Sequence, residues 1–310
     1  MDNVKPPETG SPTGLLGSER NDNTFPRPTM PLSVIILSYN EEINLPACLD
    51  SLEGLRCEVF VLDSFSSDRT PQIAHDRGVS FHQHVFENYA LQRNWSQKNL
   101  PIETPWVLHL DADERLTPEL VTEINSLMQS PPTGIHGFML RKRTIFMGKW
   151  IRHGGHYPSY HLRLFRSGSG RCEDRLYDQH FMVDGPVEKL NSDYLDIIAS
   201  SLSSWSLRHA RWAQMEAGEM LTTERAGRQV EPHFMGTPIE RRRWLRNSYS
   251  RAPLFVRAFL YGFYRYVLRR GFLDGKEGLV FHVLQGFWFR FLVDALIYEQ
   301  RQSQGIRLRV

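Results

Sequence analysis

The first ordered signal in the chain is Leu32-Ser-Val-Ile-Ile-Leu37, a run of apolar, mostly branched residues of the kind a strand buried on both faces carries. Polar Ser38 to Glu42 follows at once. Ile43, Leu45, Leu49 and Leu52 recur at helical spacing, and a second apolar run, Glu58 to Leu62, again breaks into polar residues, Asp63 to Asp68. Thr70-Pro71 predicts a helix N-terminus and Gly78 its end. A third strand is expected at Val79 to Gln83, a helix near Tyr89 to Asn99, and a fourth strand at Trp106 to Leu110. That strand runs into Asp111-Ala-Asp-Glu114, and Thr117-Pro118 opens the next helix. Strand alternating with helix at this spacing predicts an α/β fold with a Rossmann-like, mainly parallel sheet flanked by helices.

Beyond about Gly134 the alternation stops. Gly137 to Ile145, His161 to Phe165 and Tyr194 to Ala199 read as strands of a mixed sheet edge. Trp205 to about Gln229 is helical in pattern, and after Pro232, Gly236 and Pro238 come aromatic, basic helices to Gln300. The expected organisation is a mobile, Pro/Gly/Ser-rich tail over residues 1–30, a catalytic domain over 31–230 and a C-terminal amphipathic helical region over 231–310.

Charge sharpens that division. The chain of 310 residues has a formal net charge of +2, but Arg241 to Leu273 holds nine arginines and no acidic residue, which leaves the remainder net acidic. On a helix from Pro253, Arg257, Arg265 and Arg269 share one face, while Phe255, Phe259, Phe263 and Val267 populate another. Such a helix suits the surface of an anionic membrane. Spanning is disfavoured by the two arginines in Pro253 to Leu268 and by His282, Arg290 and Asp294 in Leu279 to Tyr298. Packing of these aromatics on the catalytic domain or on a second subunit is the competing reading, so an oligomer is allowed. Nucleic acid is not an expected partner, because no recognition module accompanies the arginines. Three cysteines, without a paired spacing, and a start without a basic, apolar leader point to a cytoplasmic protein.

In an open α/β sheet, ligands bind beyond the carboxyl ends of the strands. Three polar clusters stand there: Tyr39-Asn40-Glu41, Asp63 to Asp68, and Asp111 to Glu114. Two carboxylates at i and i+2 after a strand can hold a hard divalent cation and leave its other positions to water and phosphate oxygens. Asp111 and Asp113 have that spacing, which chance also produces often in capping turns. His153, His156 and His161 also invite a zinc-site reading, because clustered imidazoles in a glycine-rich loop can bind that metal.

Together, Val34 to Glu42, Val61 to Thr70 and Leu108 to Glu114, in this order and separation, resemble the family 2 glycosyltransferases of the GT-A fold. Tyr157-Pro158, Leu162 to Arg166 and Gly271 to Gly275 resemble the branch with lipopolysaccharide-core β-glucosyltransferases and exopolysaccharide transferases. The resemblance implies an inverting transfer of a sugar from a nucleotide-sugar donor to a glycan acceptor, lipid-linked in cell-surface polysaccharide synthesis, at the inner face of the cytoplasmic membrane. It implies donor contacts from Ser38, Tyr39, Asn40, Glu41, Asp63, Gln92, Arg93 and Asp111, and Mg²⁺ or Mn²⁺ held by Asp111 and Asp113. A carboxylate past Asp113 would act as general base, Asp178 first, then His180, Glu173 and Asp174; many relatives carry His-Glu where this chain has Asp178-Gln-His180. His156, Tyr157 and Arg163 fall on the acceptor side. Rival readings are a nucleotidyltransferase, which would want a glycine-rich loop after the first strand, a phosphatase built on Asp111 and Asp113, and a non-catalytic membrane-assembly protein that keeps the donor fold.

Overall fold

The computed structural model describes residues 30–173, 175, 179–221 and 231–307. Its centre is one mixed sheet in the order β3-β2-β1-β4-β8-β6-β11-β5. The first half is parallel: β1 (Leu32–Ser38) lies between β2 (Glu58–Asp63) and β4 (Trp106–Asp111), with β3 (Ser80–Gln83) outside β2. Every residue of β1 is buried, as its uninterrupted apolar run requires of a strand covered on both faces. Helices α1 (Leu45–Asp50), α2 (Thr70–Asp76) and α3 (Tyr89–Asn99) make the crossovers. Asn88 caps α3 by accepting from the Leu91 amide at 2.9 Å, and Thr117 caps α4 (Pro118–Gln129) in the same way with Pro118 in the first turn.

The second half carries the antiparallel pairs. β8 (Ser159–Arg166) runs against both β4 and β6 (Gly137–Phe146), β11 (Val187–Ile198) is parallel to β6, and β5 (Glu114–Leu116) returns along β11. A short β7 (Lys149–Trp150) folds back on β6, and β9 (Gly170–Cys172) with β10 (Phe181–Val183) forms a separate hairpin. One core lies on each side of the sheet: Ile36, Leu45, Leu108, Leu120 and Ile124 on one, Ile35, Phe60, Met139, Phe165 and Phe181 on the other.

The C-terminal region is helical. It comprises α5 (Leu202–Leu221), α6 (Pro238–Ser250), α7 (Val256–Phe263), α8 (Gly275–Phe281) and α9 (Phe289–Arg307). Wide π turns over Tyr264–Leu268 and His282–Trp288 extend α7 and join α8 to α9. Ala213 and Ala217 of α5 pack against Phe289, Val293 and Ile297 of α9. The mixed sheet flanked by helices and the helical C-terminal region are those the resemblance implied.

Candidate active site

The parallel strands place the three polar clusters side by side. Ser38 stands opposite Asp63 across β1 and β2, and Leu37 stands opposite Asp111 across β1 and β4. The first two loops are then stitched together. The Asn40 amide donates to Ser66 Oγ at 2.7 Å, and Asn40 Oδ1 accepts from the Ser67 amide at 2.9 Å. The Glu41 amide donates to Thr70 Oγ1 at 2.8 Å, and the Glu42 amide to Asp68 at 3.1 Å. Tyr39 between these loops is 60% exposed.

Asp63 takes a different part from the donor contact expected of it. Its side chain is fully buried and accepts from Ser38 Oγ, from both the amide and hydroxyl of Ser66, and from Gln83 Nε2. Four donors fill the lone-pair sites a carboxylate offers, so Asp63 shapes the loop that a ligand would touch. Gln92 is used similarly: its amide joins Ser64 and the His84 carbonyl and bonds the His84 ring at 2.7 Å.

The acidic edge at the end of β4 has two halves. Asp111 is clamped by arginines: Arg93 Nη2 donates to both oxygens at 2.9 and 3.0 Å, and Arg163 Nη2 reaches Oδ2 at 3.2 Å and Glu114 Oε1 at 2.6 Å. Burial opposes ionisation of Asp111, but the two guanidiniums outweigh it and hold the carboxyl well below the usual carboxylate range. Arg163 is thereby placed in this acid cluster and not on the acceptor side, because antiparallel β8 lies directly beside β4.

Asp113 has the opposite surroundings. Its carboxyl is pushed well above the usual range, first by burial and then by the charges of Asp196, Asp111, Glu114 and Glu41. Asp196 is brought there by the register of β11 against β5, where it faces Glu114. Burial also raises Glu114, to about 7, against the pull of Arg163. A half-buried carboxylate among four others has the surplus negative charge that a divalent cation relieves. Among the described residues no three His, Cys, Asp or Glu side chains are disposed around one point as metal ligands. One or two carboxylates at this edge could hold a cation whose other positions are taken by water and phosphate, the usual manner of Mg²⁺. Asp113 suits that part better than Asp111, whose two oxygens already serve the arginines.

Of the four candidate bases, Asp174 and Asp178 lie outside the described residues. Glu173 does not fit a base: it is fully buried, accepts from Arg243 Nη2 at 3.0 and 2.7 Å, and accepts from the His180 amide at 3.2 Å. His180 is buried with Nδ1 3.4 Å from Glu173. Together with the Glu173 amide bonded to the His180 carbonyl at 2.8 Å, these contacts close the neck of the β9–β10 hairpin. Asn94 connects that neck to the acidic edge. Its side chain bonds both the amide and the carbonyl of Cys172, at 2.7 and 3.1 Å, one residue along α3 from Arg93.

The acceptor-side residues meet other elements. His156 bonds Thr144 Oγ1 at 3.0 Å and accepts from Arg265 at 3.1 Å; burial first, then Arg265, holds its imidazole well below the ordinary pKa and neutral. Tyr157 donates to buried Asp193. His153 pairs with Asp274 at 2.6 Å, and His161 bonds Ser159 and stacks toward His180. The three histidines thus have separate partners and form no common metal site. Asn94, Glu114, Asp196 and Arg243 are the site residues that sequence reasoning missed, and only Glu114 carried a signal, its adjacency to Asp113.

Residues 33–183, from β1 to β10, match the sequence profile of Glycosyl transferase family 2. The lipopolysaccharide core biosynthesis glycosyltransferase LpsC of Rhizobium meliloti (strain 1021) is 28% identical over 88% of this chain and 94% of its own length. A TPR repeat-containing protein of Synechococcus elongatus is 29% identical over 67% of this chain, which spans 49% of it. Among solved structures, S. aureus TarS 1-349 in complex with UDP-GlcNAc is 13% identical, covering 88% of this chain and 92% of that one, with a TM-score of 0.40.

Proposed function

We propose, from the premise that residues 33–183 are those of a family 2 glycosyltransferase, that this protein is an inverting, metal-dependent enzyme moving a sugar from a nucleotide-sugar donor to a glycan acceptor. The acceptor in this reading is a lipid-linked glycan of cell-surface polysaccharide or lipopolysaccharide synthesis, met at the inner face of the cytoplasmic membrane. The similarity to LpsC supports the lipopolysaccharide branch. The observation that carries the proposal is the crowding of half-buried Asp113 by Asp196, Asp111, Glu114 and Glu41, acids that outnumber the three cations paired with them (Arg93, Arg163 and Lys142), two residues past Asp111 and beside the stitched loops of β1 and β2.

Mg²⁺ or Mn²⁺ on Asp113 would supply the positive charge that offsets the growing negative charge of the departing nucleoside diphosphate. The chain's own groups do the rest. Tyr39, Asn40 and Glu41 line the donor loop whose shape Asp63 and Ser38 set. Arg93 and Arg163 keep Asp111 ionised and still, so that its oxygens stay in place for a ribose hydroxyl. The acceptor hydroxyl proton goes to a carboxylate of residues 174–178, Asp178 first, because Glu173 and His180 are committed to the neck of that segment.

The test is transfer from a panel of nucleotide-sugar donors to membrane extract, read by mass spectrometry with added Mg²⁺ or Mn²⁺ and with chelator. Metal-dependent sugar transfer is expected, with inverted anomeric configuration in the 1H NMR spectrum of the isolated product. Donor binding that ignores metal, with no transfer to any acceptor, would instead indicate an assembly protein that keeps the fold.

A further inference from the structure

The helices after Pro253 are inside out for a protein surrounded by water. On α7 and its π extension, Arg257 is 3% exposed, whereas Phe259 and Leu260, two and three residues along, are 60% and 61% exposed. Arg257 points inward to buried Asp294, with Nε 2.7 Å from Oδ1, and donates to the Ser250 carbonyl at 2.8 Å. Arg265 also turns inward, to Tyr261 and His156. The outward stripe is Val256, Phe259, Leu260, Phe263, Val267 and Leu268, all exposed. Arg257 and Arg265 do lie apart from Phe259 and Phe263, as their spacing predicts, but the aromatic face is the outer one, and Arg269, expected on the face of the other two arginines, is exposed.

This stripe continues onto the neighbouring helix. Phe259 meets Phe287 with ring centroids 4.7 Å apart, and Phe287 meets Phe291 at 5.7 Å. Phe291 packs on Phe255 at 5.2 Å, and Leu279, Val283 and Tyr298 extend the outward side of α8 and α9. At the turn between the helices, Leu268, Phe272 and Leu273 protrude. A contiguous apolar face of this size marks an interaction surface.

The charges around it indicate what covers it. Arg269, Arg270 and Lys276 are exposed at the turn end, and Arg251 and Arg301 at the opposite end. The acids are largely withdrawn: Asp274 and Asp294 are buried, Glu277 pairs with Lys149 at 3.5 Å, and Glu299 alone among those between Arg251 and Arg301 is exposed. An aromatic and aliphatic face with a basic rim is complementary to an anionic bilayer. A second copy fits less well, because a two-fold contact sets this same patch against itself and brings basic ends together in either direction. One helix, Gly271–Ser303, is long and apolar enough to cross a membrane. Its other face is taken by α5, and Asp294 with Arg257 lies within the packing, which favours lying on a bilayer over spanning it.

We infer that the outward face of α7, α8 and α9 is a docking surface for an anionic phospholipid bilayer, with Phe259, Leu260, Phe263 and Phe272 entering the headgroup layer. The inference deepens the reading of a lipid-borne acceptor by naming the membrane-facing surface. Its second consequence is geometric: Arg265 and Asp274, behind that surface, hold His156 and His153 of the loop between β7 and β8, so the same helices that meet lipid also fix the acceptor-side loop.

The experiment is flotation of the purified full chain with vesicles of phosphatidylcholine, with and without phosphatidylglycerol, in the absence of donor and acceptor. Failure of glycosyl transfer therefore leaves the result intact. Binding to phosphatidylglycerol vesicles, weakened by salt, is expected. Leu260→Glu with Phe263→Glu should reduce it at least about tenfold, since each removes a large apolar contact. Leu207→Glu, on the exposed side of α5, should leave it unchanged. Arg270→Glu with Lys276→Glu, a second variant at exposed positions, should abolish the preference for anionic lipid. The inference is overturned if the wild type does not float, if neither pair of substitutions alters binding, or if light scattering shows a dimer that Leu260→Glu with Phe263→Glu turns to monomer without any vesicle binding.

Discussion

Arg93 grips Asp111 by both carboxylate oxygens from a single nitrogen, at 2.9 and 3.0 Å, and joins the third helix to the end of the fourth strand. The next residue of that helix, Asn94, grips Cys172 at the neck of the β9–β10 hairpin. One turn of α3 thus fixes the spacing between the acidic edge and Cys172 at the hairpin neck. Arg93→Met should cost roughly 3 kcal/mol of stability, as breaking a buried pair from one side does. It should also lower kcat, because Asp111 is freed from its ionised, fixed state. Thermal unfolding and steady-state kinetics measure the two effects, and Arg93→Lys should recover only part of either, since a point charge cannot replace a planar guanidinium.

Asp113→Asn separates stability from activity. The carboxylate is surrounded by Asp196, Asp111, Glu114 and Glu41, so removing its charge relieves repulsion in the metal-free protein. The variant should unfold at the same temperature as the wild type in chelator or at a higher one. Sugar transfer should fall by about 10² or more, the scale on which a developing negative charge loses its stabilising partner. A variant that transfers normally with added Mg²⁺ would remove Asp113 from the cation-holding role.

Arg243 should behave as a positioning residue. It is buried, and its Nη2 satisfies both oxygens of fully buried Glu173. Arg243→Met removes a buried charged donor from both oxygens of that carboxylate and should cost roughly 3–5 kcal/mol. Adding Glu173→Met should return most of the stability, as replacing both partners of a buried ion pair by apolar groups often does. Denaturant unfolding of the double-mutant cycle checks this. Transfer activity should not return with stability, because the hairpin neck would lack the polar contacts that join Glu173 to His180 and Arg243.

What was legible in the chain followed from local pattern. The β1 run announced burial on both faces, and the polar clusters announced the sheet's ligand edge because they directly follow parallel strands. What was not legible depended on long-range pairing. Arg163 is expected on the acceptor side by resemblance, and only the pairing of β8 with β4 brings it onto Asp111 and Glu114. Asp63 looked available to a ligand because nothing local shows that Ser66 and Gln83 saturate it. The periodicity of α7 separated Arg257 and Arg265 from Phe259 and Phe263, while Arg269, expected with those arginines, is exposed. Which of the two faces turned inward was decided by Asp294, 37 residues further on.

Acid should destabilise the protein through its buried histidines, and His209 offers the clearest measurement. Its ring is 5% exposed, stacks on Trp205 at a centroid distance of 3.5 Å, and bonds the Trp205 carbonyl through Nδ1 at 2.9 Å. Burial pushes its pKa down to about 4, against about 6.5 in the unfolded chain. Above 6.5 the imidazole is neutral in both states and does not affect the balance. Between 6.5 and 4 the unfolded chain takes up the proton and the folded one does not, so stability falls as pH falls across that window. Below 4 both states are protonated and the slope from this group ends. The unfolding free energy of the wild type, measured by denaturant titration from pH 8 to pH 4, should therefore drop more steeply than that of His209→Phe, which keeps an aromatic ring against Trp205 and cannot titrate. Parallel curves for the two proteins would show that His209 contributes nothing to the acid sensitivity.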